Sequence, residues 1–101
     1  MMVSSTDIAT LKLDHFASHL DAIFQMHSPA GVLPLRLTKA EALGHAKRAG
    51  GAFSLIFVAP VGPWLPQSTY AIEHPTLGAM NMFLVPIGPV SDGNGYQAVF
   101  A

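Results

Sequence analysis

The stretch Ser68–Pro86, STYAIEHPTLGAMNMFLVP, decides the fold. Tyr70, Ile72 and His74 alternate with Ala71 and Glu73; after a break, Met80, Met82 and Leu84 alternate with Phe83 and Val85. A period of two puts each set on its own face of a strand. Between the runs lies PTLG, with a proline that cannot donate to a ladder and a glycine that tolerates a left-handed turn. The stretch therefore predicts an antiparallel hairpin.

Working outward, AFSLIFVAP (52–60) sets Phe53, Leu55 and Phe57 against Ile56 and Val58, which predicts a strand covered on both faces. PVGPWLPQ (60–67) follows as a stiff loop, because three prolines in seven positions cannot feed a ladder, and it carries Trp64. Upstream, LPLRLTKAEAL (33–43) opposes Leu33, Leu35 and Leu37 to Pro34, Arg36 and Thr38; Pro34 places the start of that strand at an edge. LGHAKRAGG (43–51) reads as a solvated connection with at most one helical turn. Ile23, Gln25 and His27 alternate with Phe24 and Met26 in a further strand that SPAG ends. Before it, Asp14 is placed to cap a short helix with Phe16, Ala17 and Leu20 on one face. Downstream, PIGPVSDGNG (86–95) reads as a loop rich in breakers, and YQAVFA (96–101) as a closing strand.

Five to six short strands and one N-terminal helix predict a mainly β protein, a compact, strongly twisted antiparallel sheet or partly open small barrel. Curling buries a face that a flat sheet would leave wet, with the helix plugging one end. Residues 1–10 read as a flexible segment and 11–101 as a single domain. Surface scaling gives a chain of 101 residues roughly 5,500 Å² of exposed area when folded, enough burial for one core.

Composition bounds the function. Half of the residues are hydrophobic and 11% are charged, against roughly 25% in a typical soluble domain, so part of the surface is expected to be covered by another chain. The five basic and six acidic residues nearly cancel, and Lys12, Arg36, Lys39, Lys47 and Arg48 form no phosphate-tracking patch, so no nucleic acid is expected. The chain lacks cysteine, which removes thiol chemistry and thiolate metal sites. MMVSSTDIAT does not read as a secretory signal and no apolar run is long enough for a membrane span. The expectation is a cytoplasmic protein, or one exported without an N-terminal signal, that meets no membrane.

His15 and His19 stand four apart but have no third ligand, so they read as surface histidines and no metal is expected. His27 and His45 read as solvated. Ser54, Ser68 and Ser91 lack the glycine context of a nucleophile, SDGNG lacks calcium-loop spacing and reads as a turn, and Gly50–Gly51 precede a strand rather than a phosphate-binding helix. Met26, Met80 and Met82 follow strand periodicity into the core. Adjacent Glu73 and His74 point to opposite faces, and His74 is expected to fix the hairpin end by hydrogen bonding. Trp64 has three readings, a cap over the barrel mouth, an aromatic interface anchor with Pro63, Leu65 and Ile87 around it, or a small-ligand contact.

LKLDHFASHLDAIFQM, FSLIFVAPVGPWLPQSTYAIEHPTLGAMNMFLVPIGP and DGNGYQAVFA together resemble the DUF6916 family of small bacterial proteins of unknown function. The resemblance runs from about Leu11 to Ala101, and EHPTLG followed by FLVPIGP is its most specific part. It implies a small β-rich domain, with no catalytic or cofactor residues to carry over and an accessory or structural role beside phage-tail-like or surface structural proteins. The function expected is a non-catalytic interaction or assembly subunit, binding a protein partner or itself through strand edges and Trp64, with no cofactor. The alternative is a small-molecule-binding protein or enzyme with a polar site near Tyr70, Glu73 and His74.

Overall fold

A computed structural model describes residues 13–29, 31–43, 52–90 and 93–100. Helix α1 (Leu13–Ala17) precedes six strands: β1 (Ile23–Ser28), β2 (Gly31–Ala42), β3 (Phe53–Pro60), β4 (Ser68–His74), β5 (Gly78–Val90) and β6 (Gly93–Phe100). All neighbours are antiparallel, and the order β1-β2-β3-β6-β5-β4 closes on itself. The barrel is therefore closed rather than partly open, and no strand is an edge along its whole length.

Closure depends on two long strands that each serve two partners. β2 pairs with β1 over Gly31–Arg36 and with β3 over Arg36–Ala42. β5 pairs with β4 over Gly78–Leu84 and with β6 over Val85–Val90. Each carries a register shift near its change of partner, between Leu37 and Lys39 and between Pro86 and Gly88. One extra residue bends a strand and raises its twist, which lets a small sheet turn a corner.

The same device overturns one expectation. Pro86–Val90 are strand, not loop, and β6 already begins at Gly93, so Gly93–Gly95 of SDGNG extend a ladder. Close approach explains the glycines. A Cβ at Gly93 would lie 2.1 Å from the Ala59 carbonyl oxygen, and one at Gly95 would lie 3.0 Å from both Ile87 Cγ1 and Val90 Cγ2. Val58, Ile87 and Val90 thus fold over β6 because it has no side chains there. The expected Ser91 turn and the 44–51 connection, including His45, lie outside the described residues, as do residues 1–12.

The interior is filled by the inward sets that the periodicity predicts. Phe24 and Met26, Leu35 and Leu37, Phe53, Leu55 and Phe57, Ile72, Met80, Met82 and Leu84 are fully buried, and Leu33 packs beside them. β3 is covered on both faces as expected, since outward Ser54 and Val58 are buried as well. The accessible surface, 5913 Å², is close to the area expected of a one-core chain.

The N-terminal helix differs from its sequence reading. Asp14 lies inside it rather than capping it, while Ala17 and Leu20 are exposed; Phe16 alone of the predicted face is buried. The chain then turns back sharply. Asp21 N–H donates to the Leu37 carbonyl at 2.7 Å and Leu37 N–H donates to that of Ala22 at 3.1 Å, two residues opposite one, with Asp21 in the left-handed region at φ 68°. That is a bulge with aspartate in the position glycine usually takes. It sets the entry to β1 and fixes Phe16 over the barrel end.

Candidate functional site

The polar side chains gather at the two barrel mouths and along the seam that joins them. At the first mouth, the Phe16 ring enters among Phe24, Phe53 and Phe100 at centroid distances of 6.4, 5.8 and 5.9 Å. His74 sits beside it, with its ring 4.7 Å from that of Phe24 and 4.4 Å from that of His19. Nδ1 of His74 accepts the amides of Thr76 at 3.1 Å and Leu77 at 3.3 Å. The expectation that this histidine fixes the hairpin turn is met. Two N–H donors on Nδ1 place the ring proton on Nε2. Burial, and then the neighbouring His19, hold the pKa of His74 below its ordinary value.

At the second mouth the loop Val61–Gln67 lies across the opening. Leu65 N–H donates to the Tyr96 hydroxyl at 3.0 Å, the Tyr70 hydroxyl donates to the Pro66 carbonyl at 2.5 Å, and Asn94 Nδ2 donates to that of Gly62 at 2.9 Å. The Trp64 ring packs 5.6 Å from that of Tyr96 yet keeps 43% of its surface exposed. It caps the mouth and still presents an aromatic edge to solvent. Pro63 is exposed, Leu65 packs on the core, and Ile87 stands 42% exposed over Gly95. Burial and then the nearby Tyr96 push the Tyr70 hydroxyl pKa up.

The sequence grouped Tyr70, Glu73 and His74 as one alternative site, and the structure separates them. Tyr70 and His74 both point inward but serve opposite mouths, and Glu73 points outward. Glu73 instead pairs with Nε2 of His27 across the β1–β4 seam, so His27 is engaged rather than merely solvated. That partnership was not legible, because it depends on which strands close the barrel. His19 is half-buried rather than free at the surface: the helix ends at Ala17, so His15 and His19 share no helical face, and His19 packs on His74. Among the described residues no three histidines or carboxylates gather to hold a metal ion.

Two cavities flank the seam. One of about 430 Å³ at the plugged mouth has Ile23, Gln25, Glu73, His74, Pro75 and Ala79 in its lining. The other, about 540 Å³, lies between the Ser28–Pro29 turn and Leu65, Pro66 and Tyr70 of the lid. The barrel interior between them is filled by the core residues.

With this geometry in place, comparison with known proteins adds one finding. A family model described as a domain of unknown function, DUF6916, matches residues 11–100. The chain belongs to the DUF6916 family. No curated protein and no solved structure matches it. Among the described residues of this DUF6916 domain, no helix is long and apolar enough to cross a membrane.

Proposed function

We propose that this DUF6916 domain is a non-catalytic interaction subunit that associates with a second copy of itself through the outer face of β3, β6 and β5. The observation that carries this reading is the distribution of charge. Residues 52–100 contain no lysine or arginine and two acids, Glu73 and Asp92. On the face they form, Phe83, Ile87 and Val99 stand 42–55% exposed, and register sets Val85 and Ile56 on either side of Gln97. An isologous contact sets a surface against its own copy, so a face formed by a segment without lysine or arginine and with only two acids meets little repulsion there.

The groups that could do chemistry support the same conclusion, because they are occupied in structure. His74 accepts two turn amides, Tyr96 and Tyr70 hold the lid, and Glu73 pairs with His27. Closure also changes the mode of contact. With each strand flanked on both sides for part of its length, association runs face to face and not by lengthwise edge pairing. Trp64 and Ile87 extend the face toward the lid.

Molecular mass by light scattering across a dilution series tests the proposal. A dimer or larger species is expected, and the Phe83→Lys, Val99→Lys double variant is expected to be a folded monomer. Trp64→Ala is expected to weaken association by about 1 kcal/mol or more. A mass of 10.7 kDa at every concentration would reject self-association.

A further inference from the structure

The ladder that closes the barrel is its shortest, three register pairs between Gln25–His27 and Ala71–Glu73. Main-chain groups of an antiparallel strand face alternate sides, residue by residue. Leu37 N–H donates to Ala22, so the even-numbered residues of β1 turn their main chain toward β2, where Phe24 meets Leu35 and Met26 meets Leu33. The odd-numbered residues turn toward β4. Gln25 and His27 find Glu73 and Ala71 there, but the residue due opposite Ile23 is Pro75. Proline has no N–H, and the chain leaves the sheet at that point, with the Thr76 and Leu77 amides drawn onto His74. The N–H and C=O of Ile23 thus face the gap without a hydrogen-bond partner among the described residues.

We propose that this gap is a docking site for an extended peptide segment of another protein, which pairs its main chain with Ile23 and sets a basic side chain against Glu73. The site goes beyond self-association and does not depend on it. One residue of an extended chain presents an N–H and a C=O on the same side, the complement of what Ile23 offers. The cavity at this point, about 430 Å³, gives the residue room, with Ile23, Pro75 and Ala79 as apolar walls. Glu73 is the acidic group on that wall, half exposed and shared with His27, and the lining contains no lysine or arginine. A lysine or arginine on the incoming strand adds a permanent positive charge beside the His27 contact that Glu73 already makes.

The test uses the intact protein and acetyl-Val-Lys-Val-amide as probe, followed by amide chemical shifts. Shifts are expected at Ile23, Gln25, Glu73 and Ala79, with hydrogen exchange at the Ile23 amide slowed at least tenfold at saturation. The fully N-methylated analogue, which has no main-chain donors, is expected to bind at least tenfold more weakly. Glu73→Gln is expected to weaken the lysine peptide about threefold or more while leaving acetyl-Val-Gln-Val-amide unchanged, which separates charge pairing from loosening of the seam. No shifts at millimolar peptide, or shifts confined to other strands, would overturn the proposal. Equal binding of the N-methylated analogue would do so too, since strand pairing would then carry no affinity. The oligomeric state is a separate readout, so a monomeric protein that binds the peptide rejects self-association and keeps this site.

Discussion

The two mouths of the barrel are closed by different physics. At one, the ring of Phe16 fills the opening among Phe24, Phe53 and Phe100, and at the other a proline-rich loop is tied down by tyrosine and asparagine side chains. A plug works by volume and apolar burial, without direction. A lid held by a few hydrogen bonds gains about 1 kcal/mol from each, and its backbone stays near water. The difference sets an expectation for local opening: the plugged mouth is expected to open only with the core, and the lid by itself.

The largest expected effect breaks the plug. Phe16→Ala removes a fully buried ring, and a loss of about 3–5 kcal/mol is expected in urea unfolding, with Asp21 and β1 released together. On the lid side, Tyr96→Phe keeps the ring under Trp64 but deletes the acceptor of the Leu65 amide. A loss of about 1–2 kcal/mol is expected, and hydrogen exchange should accelerate at Leu65 while the Phe24 amide is unaffected. If the two variants lose equal stability, or if Tyr96→Phe speeds exchange throughout the barrel, the mouths are one cooperative unit and the contrast between them fails.

This asymmetry was half legible in the sequence. Strand periodicity exposed the inward sets from Phe24 to Phe100 and the hairpin about Pro75–Gly78, because side-chain alternation is a local property, whereas of the predicted helix face only Phe16 is buried. Strand pairing is not local. Nothing in the order of residues says that β1 meets β4, so the His27–Glu73 pair and the gap at Ile23 were invisible, and Tyr70 was grouped with His74 although they serve opposite mouths. Composition misled at Pro86–Gly95. Prolines and glycines there signal a loop, yet β5 and β6 run through them, since a bulge at Ile87 and bare outer positions at Gly93 and Gly95 let the sheet turn its corner.

The finest probe of the contrast is a single proton. The plugged mouth contains a titratable histidine, His74, whereas the lid is held by tyrosines, of which Tyr70 ionises only above its ordinary 10.0. For His74 the folded pKa lies below the ordinary value of 6.5, so between the two values the unfolded chain binds a proton that the folded one does not. Stability from this residue is therefore complete above about pH 6.5 and is lost as pH falls from there toward the folded pKa. Protonation would place a hydrogen on Nδ1, where the amides of Thr76 and Leu77 already donate, so the turn beside the plug should loosen first. His74→Asn is the discriminating variant. Its side-chain oxygen can accept the same two amides without titrating, as asparagine does in turns. Thermal unfolding at pH 7.5 and 5.5 should show a drop in the wild type that is smaller in His74→Asn, with the difference assigned to this residue and not to the other histidines. Equal drops in both would mean that the His74 proton is not coupled to folding.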